Sequence, residues 1–210
     1  MKPESLIFDI DGTLWDSRAL VAQGYGLQLQ AEGLDHLRVT ADDLTPLFGK
    51  VMTQIADALF ASIPQDRRYD LMARCMDTED RYLRDHATAD LGYPRVRQTL
   101  EDLAKDHRLF IVSNSQQGYP ALCMDKLGIA HLIQGHKCFG DTGLDKGATI
   151  RLLMEEHQIQ SAVYIGDTQG DLEAAEAAQI GFIYAAYGFG RPARWDARIE
   201  RFQDLKEVLK

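Results

Sequence analysis

The chain has 210 residues, 45% of them apolar, and a formal charge of −9, which is enough for one sizeable core or for a core with a smaller companion domain. That acidic balance argues against a nucleic-acid binder, which must gather basic residues to displace phosphate counterions. The three scattered cysteines lack CxxC or metal spacing, the amino-terminal apolar run is too short for a signal peptide, and no stretch nears the ~18 apolar residues of a membrane span. The expectation is a cytoplasmic protein with neither nucleic-acid nor membrane partner.

The first element is in "LIFDIDGTL", where the β-rich run Leu6–Ile10 reads as a buried strand stopped by Gly12 and Thr13. Asp9 and Asp11 stand at its end. One carboxylate there would be an ordinary turn former or helix cap. Two of them at i and i+2, followed by a glycine that lets the backbone bend, suit a hard cation together with a nucleophile, because Mg²⁺ relieves their like-charge repulsion.

From Asp16 to about Ala89 apolar residues recur at helical spacing, in "ALVAQGYGLQLQAEGL", "VMTQIADALFASI" and "YDLMARCMDTEDRYLRDH". Alternation follows. A helix is predicted from Pro94 to about His107, the strand "RLFIVSN", a helix over Tyr119–Leu127, a short strand "HKCFG", the helix "ATIRLLMEEHQ", the strand "SAVYIGD", the helix "DLEAAEAAQ" ended by Gly181, and the strand "GFIYAAYG". The tail "ARIERFQDLKEVLK" adds an edge strand and a closing helix. This order predicts an α/β fold: a doubly wound, mostly parallel, Rossmann-like sheet formed by 1–15 and 91–210, with an inserted α-helical cap, 16–90, at the carboxyl edge where such sheets bind ligands.

Three more strand ends or strand-to-helix connections carry polar groups. In "LFIVSNS" a serine could merely cap a helix, yet the Ser113 hydroxyl and the Asn114 segment suit holding a transferring phosphoryl oxygen. In "DTGLDKGATI", Lys146 precedes a predicted helix, where a cation would neutralise charge on such oxygens; its bland reading is an exposed lysine. In "VYIGDTQGD", Asp171 suits the first turn of a helix begun at Thr168, while Asp167 directly ends a strong strand.

Together "DIDGTLWDS", "LFIVSNS", Lys146 and "GDTQGD" resemble the four ordered motifs of the haloacid dehalogenase superfamily, and the resemblance spans the chain. It implies a Mg²⁺-dependent phosphatase acting on a small phosphorylated metabolite. In that likeness Asp9 is the nucleophile that takes up the phosphoryl group, Asp11 the general acid and base, Lys146 the neutralising cation, and Ser113 with Asn114 the phosphoryl-binding pair. Asp9, the backbone carbonyl of Asp11, Asp167 and Asp171 make the metal site, Asp171 through water or by orienting the shell. Gly147 departs from the pattern, since relatives often have proline after the lysine, and Lys137 stays a fallback.

The segment "GFIYAAYGFG" is similar to the glycine-rich tail of the phosphoglycolate phosphatase-like branch, which makes phosphoglycolate the first substrate to consider. "LFGKVMTQI" puts Gly49 and Lys50 at a helix start, similar to that branch's substrate-contacting cap loop; otherwise Lys50 is a solvated side chain. A sugar-phosphate mutase and a phosphonate hydrolase of the same superfamily stay open. Asp11 counts against a dehalogenase. The phospho-receiver domain is about half this length, and the presence of Asp9, Asp11, Lys146 and Asp167 together argues against a silent phosphometabolite binder. The six histidines show no ligand spacing, and the expected assembly is a monomer or small homo-oligomer.

Overall fold

The computed structural model describes residues 3–210. The chain divides into two compact units, one formed by the segment up to Asp16 with Ala89–Lys210, the other by Ser17–Thr88. In chain order the elements are β1 (Ser5–Phe8), α1 (Arg18–Ala31), α2 (Ala41–Leu44), α3 (Met52–Leu59), α4 (Gln65–His86), α5 (Val96–Leu103), β2 (Arg108–Ser113), α6 (Tyr119–Leu127), β3 (Ile133–Cys138), α7 (Phe139–Thr142), α8 (Lys146–Glu156), β4 (Ala162–Gly166), α9 (Gln169–Ala177), β5 (Gly181–Ala185), β6 (Ala197–Ile199) and α10 (Leu205–Val208).

The six strands form one sheet in the order β3-β2-β1-β4-β5-β6, every neighbouring pair parallel. Parallel strands need crossovers that cover both faces of a sheet, so their sequences read as unbroken apolar runs. Leu6–Phe8, Leu109–Val112 and Val163–Ile165 are such runs, and all are buried. Ile7, Phe110, Tyr164 and Phe182 from four strands pack with Ile150, Leu153 and Leu172 of α8 and α9 in one cluster. The chain reverses its direction of strand addition between β1 and β4, which opens a crevice at their carboxyl ends.

Several boundaries differ from the expectation. Ile10 lies outside β1, because its carbonyl accepts the N–H groups of Thr13, Leu14 and Trp15 and so closes a tight turn. The expected strand "HKCFG" ends at Cys138; Phe139 begins α7, where the Asp141 carboxylate accepts the Cys138 N–H and caps the new helix. Pro94 precedes its helix, which starts at Val96 after Arg95 adopts a left-handed conformation (φ 65°). Past α9 the left-handed residue is Gln179, at φ 58°, and Gly181 opens β5 instead of ending the helix.

Ser17–Thr88 is helical throughout its regular elements. α1 and α4 face each other with Val21, Tyr25 and Leu29 on one and Leu71, Met72, Cys75 and Leu83 on the other, all buried. Thr40 and Asp43 cap α2 reciprocally, each side chain accepting the other's backbone N–H. Among the described residues no helix is long and apolar enough to cross a membrane.

Candidate active site

The sheet register sets the first carboxylate. β1 lies between β2 and β4, and the Asp9 N–H donates to the Ile165 carbonyl at 2.9 Å, which continues the ladder one residue past the strand. Asp9 therefore emerges at the crevice, 2% exposed. Asp167 follows β4 directly and Asp171 sits in the first turn of α9, both at 0% exposure. One oxygen from each of the three lies within 4.8 Å of the others.

The sequence reaches this geometry by local means. Thr168 is the N-cap of α9, its hydroxyl accepting the Asp171 N–H. In return Asp171 Oδ2 accepts from the N–H of Thr168 at 2.9 Å, the N–H of Asp167 at 3.1 Å and the Thr168 hydroxyl at 2.8 Å. The capping reading of Asp171 is thus correct for one oxygen. The other, Oδ1, accepts from Lys146 Nζ at 2.7 Å.

Lys146 is the first residue of α8, and Asp145 caps that helix through the Ala148 N–H. Its ammonium reaches Asp9 Oδ1 at 3.0 Å as well, so one buried cation bridges two buried carboxylates. Burial works against that charge, but Asp171 and Asp9 outweigh it and hold the proton more tightly than in an ordinary lysine. Lys137 is placed elsewhere, in β3, paired with Glu156 at 2.8 Å. Gly147 also has a local reason: a Cβ there would come within 2.7 Å of the Ala177 Cβ, so a side chain, proline's included, would push α8 off α9.

The charges do not balance. Burial pushes Asp9 up to about 7 against the pull of Lys146, with Asp171 adding to the rise. Burial, then Asp171 and Asp9, raise Asp167 well above the usual carboxylate range. Asp167 Oδ2 accepts the N–H groups of Phe189, at 2.6 Å, and Gly190, at 3.2 Å, whereas its Oδ1 is buried with no hydrogen-bond partner. A bare carboxyl oxygen beside two further carboxyl groups and a single ammonium is a hard-oxygen donor set that fits a divalent cation. Gly12, at φ 80°, and Gly188 make room for this arrangement, since a Cβ on either would strike Asp167.

A scan against protein-family models matches the chain over residues 6–185 to the haloacid dehalogenase-like hydrolase family. The chain belongs to this family. As a haloacid dehalogenase-like hydrolase it is an enzyme of the phosphatase type. A phosphoglycolate phosphatase of Photobacterium profundum is 30% identical over 224 residues, spanning 98% of this chain and 95% of its own length. A second phosphoglycolate phosphatase, from Aliivibrio fischeri, is 26% identical over 97% of this chain and 95% of its own. A solved haloacid dehalogenase-like family protein from Streptococcus pneumoniae shares the fold at a TM-score of 0.85 and 18% identity, covering 99% of both chains.

The remaining sequence candidates of this haloacid dehalogenase-like chain fall in three places. Ser113 ends β2, buried, and its hydroxyl oxygen accepts the Ser115 N–H at 3.2 Å; Asn114 beside it is half-buried. Asp11 is outside the three-carboxylate cluster, its Oδ1 accepting from the Trp15 indole and the Tyr119 hydroxyl. Gly49 and Lys50 belong to the Ser17–Thr88 unit, in the turn before α3; Gly49 has φ 88° and the Lys50 side chain is exposed. Sequence reasoning misses Ser115, whose buried hydroxyl has no hydrogen-bond partner, and the clamp of Phe189 and Gly190 on Asp167. The only signal for that clamp is the glycine pair in "GFG", which by itself marks a family branch and no contact.

Proposed function

We propose that this chain is a Mg²⁺-dependent phosphatase that hydrolyses a small phosphomonoester through an aspartyl phosphate on Asp9, with phosphoglycolate as the leading substrate. The observation that carries the reading is the bridge from Lys146 to Asp9 and Asp171 beside the bare Oδ1 of Asp167, all at the carboxyl ends of β1 and β4. The substrate assignment rests on the phosphoglycolate phosphatases that the chain resembles over nearly its whole length.

Asp9, Asp167 and the Asp11 carbonyl would hold the cation, with Asp171 fixing the arrangement. Bound there, Mg²⁺ supplies positive charge that screens the phosphoryl oxygens from the attacking carboxylate. Lys146 does the same from the protein side, and the Ser113 hydroxyl with the Asn114 segment holds the oxygens in line.

In the first step a carboxylate oxygen of Asp9 bonds to phosphorus. The bond from phosphorus to the ester oxygen breaks, its electron pair stays on that oxygen, and Asp11 delivers a proton to it. In the second step water attacks phosphorus, Asp11 takes the water's proton, and the bond to Asp9 breaks to leave orthophosphate and a free carboxylate. Residues 16–90 act as the cap that excludes bulk water and selects the substrate, Gly49 and Lys50 contacting its anionic end. The enzyme works in the cytoplasm as a monomer or small homo-oligomer.

The test is orthophosphate release from a panel of phosphomonoesters, phosphoglycolate included, with Mg²⁺ or with EDTA. The reading predicts release that needs the metal and is fastest with phosphoglycolate. Migration of the phosphoryl group within a hexose phosphate, without release, would instead mark a mutase.

A further inference from the structure

We infer that Trp15 and Tyr119 are positioning residues for the proton transfer assigned to Asp11, together anchoring its carboxyl through two hydrogen bonds to one oxygen. This inference rests on the phosphatase reading given above.

Asp11 Oδ1 accepts two hydrogen bonds, from Trp15 Nε1 at 3.0 Å and from the Tyr119 hydroxyl at 2.7 Å. A carboxylate oxygen offers two lone-pair directions, and here two donors, one on each ring, fill both of them. The two rings also meet edge to face, centroids 5.7 Å apart at 69°, and both side chains are buried, Trp15 completely. Each ring therefore restricts the other, and neither can swing away from Asp11 without opening a cavity.

The backbones behind the two rings are fixed separately. Trp15 accepts the Gly12 N–H through its carbonyl at 3.0 Å and bridges both Asp11 and Gly92. On either side of it the outgoing and returning strands of chain are tied, Asp16 N–H to the Leu91 carbonyl at 2.9 Å and Tyr93 N–H to the Leu14 carbonyl at 3.0 Å. Tyr119 opens α6 just after Gly118, whose φ of 86° turns the chain there, six residues past Ser113. Asp11 is thus held at once by its own loop and by the start of α6, the helix that follows Ser113 in the chain.

This arrangement is more than burial requires. A tryptophan in the core must find an acceptor for its one N–H, and any backbone carbonyl would serve. Sending that N–H and a tyrosine hydroxyl to the same oxygen of the one carboxylate that must hand over and recover a proton is a way to fix where that proton travels.

The experiment uses Tyr119→Phe, which removes only a hydroxyl, and Trp15→Phe, each in the full chain with Mg²⁺, and follows two substrates by stopped flow. With p-nitrophenyl phosphate the leaving group needs no proton, so Asp9 can be phosphorylated without help from Asp11, whereas the second step still needs Asp11 as base. General acid-base groups contribute about 10²–10⁴-fold, and loss of one anchor is expected to forfeit roughly tenfold of that. The variants should therefore show a burst of nitrophenolate at the wild-type rate, followed by turnover slowed about tenfold. With an alkyl phosphomonoester they should lose about tenfold in kcat without a burst and with KM little changed.

The double variant should lose less than the product of the two single losses, because both donors serve one oxygen. A purely structural role would lower Tm and slow the burst and the steady state together, and that pattern overturns the inference, as does wild-type kinetics in Tyr119→Phe. If Trp15→Phe does not fold, Tyr119→Phe decides alone. Absence of turnover in the wild-type protein would overturn the phosphatase reading, and this inference with it; turnover in the wild type with unaltered variants overturns the anchoring alone.

Discussion

Asp9 shows how one residue can be legible in sequence and still carry a surprise. Its place in "DIDGT" is contiguous, so both the pairing with Asp11 and the likeness to a family motif can be read directly. What cannot be read is the cost of assembling it with Asp167 and Asp171, which come from far along the chain. Burial pushes the Asp9 carboxyl up to about 7 from its ordinary 3.8 despite Lys146. A carboxyl raised in the folded state contributes stability that is complete below its ordinary pKa and is lost as pH rises through about 7. The metal-free protein should therefore be progressively destabilised by Asp9 between about pH 4 and 7, and a divalent cation that takes the place of the proton should matter most above that window. Thermal melts are expected to show a larger Tm gain from Mg²⁺ at pH 8 than at pH 5.5; equal gains at both would contradict the linkage. Trp15, Tyr119 and Ser115 stay hidden for the opposite reason. The two rings read as ordinary core aromatics and Ser115 as one more polar residue after a strand, and what surrounds each of them is set by a fold that sequence spacing does not show.

At the scale of elements, the helix starts do most of the positioning. The Thr168–Asp171 box caps α9 and at the same time turns one Asp171 oxygen toward Lys146, so capping and site building are one set of contacts. Helices are legible where an end signal meets a periodic run, as for Tyr119–Leu127, and boundaries are less so where a local turn or cap interrupts an apolar run, as at Ile10 and Phe139. The glycine-rich segment after β5 is the clearest case of an element whose purpose needs the fold. Phe189 and Gly190 donate to Asp167 Oδ2 and leave Oδ1 bare, and a Cβ on Gly188 would strike both Asp167 and the Gly12 carbonyl. Gly188→Ala should displace Asp167 and raise the Mg²⁺ concentration that gives half of the thermal stabilisation by about tenfold, the low end for residues supporting a metal ligand. An unchanged Mg²⁺ titration of Tm would show that this segment does not set the ligand.

For the whole molecule, the alternation of strand and helix predicts the doubly wound sheet because parallel pairing demands crossovers, and the observed order β3-β2-β1-β4-β5-β6 puts β1 and β4 side by side at the reversal. That adjacency brings Asp9 to Asp167 across a long stretch of intervening chain, and no local pattern announces it. The helical stretch is equally plain from its 3.6-residue period, whereas the part proposed for Gly49 and Lys50 depends on chemistry that spacing does not encode. The central claim is that Asp9 carries the phosphoryl group during turnover, and the most direct test is to trap it there. Protein mixed briefly with phosphoglycolate and Mg²⁺ is quenched with borohydride, which reduces an acyl phosphate to an alcohol, and the peptide holding residue 9 is sequenced by mass spectrometry. The account predicts homoserine at position 9, only when substrate and Mg²⁺ are both present; rapid phosphate release with Asp9 unmodified, or reduction at a different carboxylate, would contradict it.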